Sequence, residues 1–257
     1  MKPLASYFIC CVPRTGSWLL SEALQFTGVA GKPREYFAPE AYHHFLRQWK
    51  LPPDAEYSAF LSRLMVEATS ANGIWGAKAH WYQFNDLVQK LRAVTTLKDL
   101  PIRSLLPAVL PNPRYIYLTR RDRVRHVVSY ARAAETKLWW EVVNENGQSR
   151  RMLTRTPQFH LTRLDRMLET IVEHNRSWRT YFRECGITPL VVYYEDVAQD
   201  CSVEVRRVLE FLDVPHAPGL TIKNPRLRKQ SDELSEMWVS RYRQIIRERR
   251  TIETERP

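Results

Sequence analysis

The segment 7–24 constrains the fold of this chain more than any other. An apolar run from Tyr7 to Val12 ends at Pro13 and is followed by a short Arg-Thr-Gly turn and an amphipathic run that begins at Ser17. This order predicts a buried strand, a tight turn and a helix. The backbone N–H groups, hydroxyls and guanidinium of such a turn converge on one point, which suits an anion with several oxygens.

The rest of the chain continues the alternation of strands and helices. Strands are predicted at about 5–12, 73–79, 114–119 and 188–194. Helices are predicted at about 17–27, 39–50, 56–70, 81–92, 122–138, 158–184, 201–212 and 233–250. The pattern indicates an α/β fold with a mostly parallel sheet flanked by helices on both faces, and irregular loops at 94–113 and 139–156. The length of 257 residues favours a single domain over 1–257.

The charge of the chain indicates an anionic partner. Lys and Arg number 39 and Asp and Glu number 28, so the formal net charge is +11. A polyphosphorylated cofactor, an acidic lipid surface and a nucleic acid all fit this excess. The chain has no apolar tract long enough to span a membrane and no signal-peptide core before the first strand, so we expect a cytoplasmic protein. Its four cysteines lack metal-ligand spacing and are expected to be reduced thiols.

The turn after the first strand departs from the P-loop signature of ATPases and kinases. That signature needs a second Gly and a Lys-Ser/Thr pair, whereas an Arg stands here where a Lys is more usual. The run Pro-Arg-Thr-Gly-Ser at 13–17 resembles the 5'-phosphosulfate loop of sulfotransferases, which use 3'-phosphoadenosine 5'-phosphosulfate (PAPS). The resemblance implies a set of residues that bind the 5' end of this cofactor: Arg14, Thr15, Gly16, Ser17 and Trp18.

A second basic motif follows the third predicted strand, at 114–130. Arg120 leaves the carboxyl end of that strand, where open α/β sheets bind ligands, and Ser129 lies about two helical turns further on. An Arg and a hydroxyl so placed can share one phosphate. The alternative is that the segment is only the basic start of a helix, with a Ser that binds no ligand. The motif resembles the 3'-phosphate motif of sulfotransferases, which implies that Arg120 and Ser129 bind that phosphate.

Two further segments resemble cofactor-binding parts of sulfotransferases. In 189–213 a strand ends in Tyr-Glu-Asp and a helix ends in Phe-Leu, as in that family, which implies that Tyr194 approaches the adenine. Glu195 and Asp196 are expected to cap the helix that follows. The basic run at 226–230 lies where the family closes a loop on the cofactor, which implies that Arg228 binds near the 3'-phosphate.

The closest resemblance spans nearly the whole chain and is to the bacterial trehalose 2-sulfotransferase family. It rests on Thr-Gly-Val-Ala-Gly-Lys-Pro-Arg-Glu-Tyr-Phe at 27–37, Asn-Gly-Ile-Trp-Gly-Ala-Lys at 72–78, Arg-Lys-Gln-Ser-Asp at 228–232 and Trp-Val-Ser-Arg-Tyr-Arg at 238–243. It implies a PAPS-dependent enzyme that sulfates a hydroxyl of a carbohydrate or a small glycosylated metabolite, and a homodimer. The acceptor itself does not follow from motif spacing, because acceptor pockets are built from loops.

Sulfuryl transfer needs a base for the acceptor hydroxyl and a cation for the leaving group. Lys78 is predicted to supply the cation, and no metal is needed if Arg and Lys provide the positive field.

In the trehalose-type family the Glu of the 27–37 segment is the base, which carries over to Glu35. In animal cytosolic sulfotransferases the base is a His two residues after a Lys on a strand, and His80 has that spacing, with its side chain on the same side as Lys78. The trehalose-type family lacks this His, so Glu35 and His80 both stay candidates for the general base. Glu35 is favoured, with His80 as its partner or as an acceptor ligand.

Two other functions remain open at this point. A kinase-like P-loop enzyme is disfavoured by the missing Gly-Lys-Ser/Thr and by the lack of a magnesium-binding acidic strand end. A non-catalytic module for RNA or anionic membrane predicts salt-sensitive binding to polyanions and no protection by a small nucleotide. The partner expected of the sulfotransferase is a small hydroxyl acceptor, without nucleic-acid binding or stable membrane insertion.

Overall fold

The computed structural model describes residues 3–94, 96–139, 156–217, 219, 220, 222 and 232–254. Within these ranges the strands are β1 (Ala5–Cys11), β2 (Ile74–His80), β3 (Pro113–Thr119) and β4 (Leu190–Tyr193). The helices are α1 (Ser17–Phe26), α2 (Pro39–Gln48), α3 (Tyr57–Glu67), α4 (Trp81–Arg92), α5 (Ile102–Leu105), α6 (Arg123–Thr136), α7 (Leu161–Cys185), α8 (Tyr194–Gln199), α9 (Cys201–Phe211) and α10 (Glu233–Thr254).

The four strands form one parallel sheet in the order β2-β1-β3-β4. Side chains of β1 alternate between two cores. Phe8 and Cys10 pack with residues of α2, α3, α4 and α7, whereas Tyr7 and Ile9 pack with residues of α1 and α9. Helices therefore cover both faces, which confirms the predicted α/β fold. Because all four strands run the same way, their carboxyl ends share one edge of the sheet.

The chain divides into two compact units. The first unit comprises Met1–Thr119 and His174–Pro225 and contains the whole sheet. The second comprises Arg120–Glu173 and Arg226–Pro257, and in it α6 packs on α10, with the Arg132 guanidinium 2.8 Å from the Asp232 carboxylate. The single domain predicted for 1–257 stays a prediction.

Local differences from the predicted elements have simple causes. Helix α5 is a single turn inside the predicted 94–113 loop. Glu195 and Asp196 lie in the first turn of α8, and the cap of α9 is Asp200, whose carboxylate accepts hydrogen bonds from the N–H groups of Ser202 (2.9 Å) and Val203 (3.1 Å). The expected capping role is corrected accordingly, since the short side chain immediately before the helix reaches those groups first.

Two further sequence predictions concern membranes and thiols. None of the helices in the described ranges has both the length and the apolar character required to cross a membrane. All four cysteines lie in those ranges and are free thiols, three of them buried, as the sequence predicts.

Candidate active site

The turn between β1 and α1 has the geometry of an anion-binding turn. Arg14 and Gly16 adopt left-handed backbone conformations, with φ of 71° and 74°. Helix α1 starts at the next residue, and its N-cap, Gly16, has no side chain that could cap it. The Thr15 side chain is buried, and its hydroxyl donates to the Val12 carbonyl at 2.9 Å. The first N–H groups of a helix have no partner within the helix, so the start of α1 offers donors to a ligand oxygen.

Tyr194 closes one side of this turn. A Cβ added to Gly16 would lie 2.5 Å from Cδ2 of the Tyr194 ring. Position 16 therefore needs glycine both for its positive φ and for the approach of the ring. The structure thus brings two of the predicted cofactor residues into contact. A turn that carries Arg14, a helix start and an adjacent aromatic ring fits a phosphosulfate attached to an adenosine.

A charged cluster surrounds Glu35. One carboxylate oxygen, Oε1, lies 2.8 Å from Lys78 Nζ and 3.5 Å from His80 Nε2. The other, Oε2, accepts a hydrogen bond from Gln83 Nε2 at 3.0 Å. The side chains of Lys78 and His80 are 4% and 8% exposed, whereas that of Glu35 is 33% exposed. The carboxylate is therefore the member of the cluster that an incoming substrate can reach.

The segment before α2 holds Glu35 beside β2. Arg34 forms an isolated parallel bridge with Ala77, and its carbonyl accepts the Lys78 N–H at 3.0 Å. The two residues after Glu35 have buried side chains. The Tyr36 hydroxyl donates to the Lys32 carbonyl at 2.6 Å, and Phe37 packs in the core around β1. Backbone pairing on one side and two buried aromatic rings on the other fix the carboxylate at the end of β2.

His80 connects this cluster to β1 and the turn. Cys11 lies opposite His80 in the parallel pairing, and its Sγ is 3.4 Å from His80 Nδ1. The backbone N–H of His80 donates to Gln83 Oε1 at 2.9 Å. Val12, the residue after Cys11, begins the turn described above. The Glu35 cluster and the turn are thus neighbours at the same edge of the sheet.

The charges in the cluster depend on one another. Burial opposes ionisation of Glu35, but Lys78 and His80 outweigh it and hold the pKa of this carboxyl well below its usual range. Burial also disfavours a charged His80, yet Cys11 and Glu35 raise its pKa to about 10. At neutral pH the pair is therefore a carboxylate beside an imidazolium. A protonated imidazole cannot accept a further proton, which favours Glu35 over His80 as the candidate base.

Sequence reasoning missed Gln83 and the contact between Cys11 and His80. A Gln at the third position of a helix is a known capping signal, so Gln83 was open to prediction from its place in α4. The Cys11 contact depends on the register between β1 and β2, which are separated by more than sixty residues. No local pattern predicts that register.

The remaining residues that were predicted to bind the cofactor lie in several parts of the chain. Ser17 is buried and Trp18 half-buried in the first turn of α1. Arg120 follows the last residue of β3, and Ser129 lies in α6, so both belong to the second unit. Arg228 falls outside the described residues. The cofactor roles of these residues stay predictions.

Comparison with solved structures finds a sulfotransferase from Alicyclobacillus acidocaldarius. The match covers 94% of this chain and 92% of that one, with 13% identity and a TM-score of 0.49.

Two relatives match in sequence over nearly their full length. The trehalose 2-sulfotransferase of Mycolicibacterium smegmatis is 30% identical, with 93% of this chain and 94% of the relative covered. The trehalose 2-sulfotransferase of Mycobacterium tuberculosis is 26% identical, with 94% and 96% covered. The family model of the Stf0 sulphotransferases matches residues 6–245. These matches confirm the resemblance and argue against the kinase-like and non-catalytic alternatives. The chain belongs to the Stf0 sulphotransferase family and is a sulfotransferase.

Proposed function

We propose that this enzyme transfers the sulfuryl group of PAPS to a hydroxyl of a carbohydrate or a small glycosylated metabolite. The observation that carries the proposal is the carboxylate of Glu35, partly exposed and held by two buried cations at the edge of the sheet where β1 enters its anion-binding turn. Two relatives that share almost the whole chain are trehalose 2-sulfotransferases, so trehalose is the first acceptor to test.

Glu35 is the proposed general base. Its carboxylate takes the proton of the acceptor hydroxyl while the acceptor oxygen forms a bond to sulfur and the bond from sulfur to the donor phosphate oxygen breaks. Lys78 stabilises the charge that develops on that phosphate oxygen. As Lys78 turns toward the leaving group, its hold on Glu35 weakens and the pKa of the carboxyl rises. The carboxylate thus becomes a stronger base when the proton must move.

His80 is proposed to act as a partner of Glu35. Its raised pKa keeps the imidazole protonated, and its contact with Oε1 orients the carboxylate when Lys78 moves away. The alternative, in which His80 is the base, requires a neutral ring with a free nitrogen. Both ring nitrogens instead lie within 3.5 Å of a partner atom, on Cys11 and on Glu35.

The donor is proposed to bind along the carboxyl edge of the sheet. The residues assigned to its 5' side are Arg14, Thr15, Gly16, Ser17 and Trp18. Tyr194 is assigned to the adenine, and the contact between its ring and Gly16 supports this role. Arg120, Ser129 and Arg228 are assigned to the 3'-phosphate by resemblance to the family.

The remaining parts of the proposal concern the whole protein. We propose one catalytic domain over 1–257 that works in the cytoplasm as a homodimer and without a metal ion. The formal charge of +11 suits a donor that carries several negative charges.

Ligand-induced thermal stabilisation tests the donor. The product 3'-phosphoadenosine 5'-phosphate (PAP) should raise the melting temperature, whereas ATP with magnesium and an oligonucleotide should not. Incubation with PAPS and trehalose should then yield a product heavier than trehalose by one sulfuryl group. Stabilisation by ATP with magnesium or by the oligonucleotide, without any effect of PAP, would contradict the proposal.

The 3'-phosphate assignment has its own test. Arg120→Ala should weaken binding of PAP by roughly 10- to 100-fold and leave binding of 5'-AMP unchanged, because a charged hydrogen bond to the 3'-phosphate is lost. Arg121→Ala, at the neighbouring position, is the matched control and should bind both nucleotides like the wild type.

A further inference from the structure

Tyr82 is an exposed aromatic residue beside the candidate base. It is the second residue of α4 and is 43% exposed. The residues on either side of it face the protein interior. Trp81 packs edge-on against Trp178, with 5.1 Å between ring centroids, and Gln83 is fully buried. The first turn of α4 therefore directs Tyr82 outward while the residues around it anchor the helix.

The Tyr82 side chain is nevertheless held in place. Its hydroxyl accepts a hydrogen bond from Gln83 Nε2 at 3.2 Å, and the same nitrogen donates to Glu35 Oε2 at 3.0 Å. The Tyr82 ring also stacks on the His80 ring, with centroids 6.0 Å apart and planes 28° apart, and it contacts the His174 ring at 6.4 Å. One buried amide thus fixes both the aromatic ring and the catalytic carboxylate.

We propose that Tyr82 forms part of an acceptor subsite, in which its exposed ring receives the apolar C–H face of a sugar ring whose hydroxyl reaches Glu35. This proposal rests on the proposed function, because it needs Glu35 as the base. Aromatic rings suit the apolar faces of sugars, and the phenol leaves the charge of the cluster unchanged. Burial in the core does not explain a residue this exposed, and the shared amide gives it a defined position relative to the base.

The proposal separates the role of the ring from that of the hydroxyl. Stacking requires the ring face, so Tyr82→Phe should retain the subsite although its hydrogen bond to Gln83 is lost. Tyr82→Ala removes the ring and should raise KM for a cyclic acceptor while kcat changes little, since the base and the leaving-group cation remain. A purely structural role would lower kcat and thermal stability together.

Steady-state kinetics with two acceptors test this inference. Trehalose presents a C–H face and glycerol does not. Tyr82→Ala should reduce the ratio of kcat/KM for trehalose to kcat/KM for glycerol at least tenfold, and Tyr82→Phe should change it less than threefold. Phe26→Ala is the matched control, because Phe26 is 46% exposed at the end of α1 and should leave the ratio as in the wild type.

Each result has a distinct meaning. An unchanged ratio in Tyr82→Ala, or an equal loss in Tyr82→Phe, would overturn the subsite while leaving the base assignment intact. The melting temperature and its shift by PAP, measured on every variant, identify a loss of folding or of donor binding. If Glu35→Gln retains full activity in the same assays, the assignment of Glu35 as the base fails, and the subsite, which places the sugar hydroxyl at Glu35, fails with it.

Discussion

Lys78 Nζ lies 2.8 Å from Glu35 Oε1 in an ion pair whose two members differ in exposure: the Lys78 side chain is 4% exposed and that of Glu35 is 33% exposed. A buried ammonium is stable only when a counter-charge compensates for its lost hydration. The pair therefore keeps a cation ready at the edge of the sheet and keeps the carboxylate ionised.

Glu35→Gln should lower kcat by about 100-fold or more, because the amide cannot accept the acceptor proton. Stabilisation by PAP should persist, since the donor-binding turn is unchanged. Steady-state kinetics and thermal melts check both results. Glu67→Gln is a control that removes another paired carboxylate, 2.7 Å from Arg63 on α3, and should be as active as the wild type. An active Glu35→Gln together with an inactive His80→Ala would assign the base to His80.

Lys78→Met should lower kcat by roughly 100- to 1000-fold through loss of the cation at the leaving group. Because Lys78 helps to hold the pKa of Glu35 below its usual range, its removal should also move the acidic limb of the rate profile to higher pH. The measurement is the dependence of kcat on pH in both proteins. An unchanged acidic limb would show that Lys78 does not control the ionisation of the base.

Gly16→Ala should abolish stabilisation by PAP, since the new Cβ would lie 2.5 Å from the Tyr194 ring. Gly28→Ala is the matched control: Gly28 has φ of 73°, and an added Cβ there meets no atom of the described residues within 4 Å. Both variants should lose roughly 1–2 kcal/mol of unfolding free energy to backbone strain. Thermal melts with and without PAP separate the two effects. Equal stabilisation of both variants by PAP would exclude a role of the Tyr194 contact in donor binding.

Folding stability should depend on His80 at alkaline pH. Its pKa is raised from 6.5 to about 10 in the folded protein, so its contribution is complete below pH 6.5 and is lost as the pH rises toward 10. The difference in urea midpoint between the wild type and His80→Gln should therefore shrink over that interval. A difference that stays constant would mean that the imidazole is neutral in the folded state.

Much of the fold was predictable because its signals are local. The apolar runs that form β1 and β3 end at Pro13 and at a basic segment, and the structure places their ends within one residue of the predicted strands. The shared side of Lys78 and His80 follows from the two-residue period of a strand, and both side chains do meet Glu35. Helix α5, a single turn among prolines, has no such period and was missed.

The candidate site was less predictable. Glu35 was singled out by family resemblance, and nothing near it in the chain indicates a partner as distant as Gln83, which is 48 residues away. The place of Tyr82 at the exposed end of the cluster likewise follows from how α4 packs against Trp178.

The sequence by itself determined the local elements of this protein: a strand, a glycine turn and a helix start that suits an anion, and a lysine and a histidine on one side of a strand. The tertiary structure decided which residue is charged and which can take a proton. Ionisation depends on burial and on distances between groups far apart in the chain, and only the pairing of β1, β2 and the 32–37 segment brings Glu35, Lys78, His80 and Cys11 together.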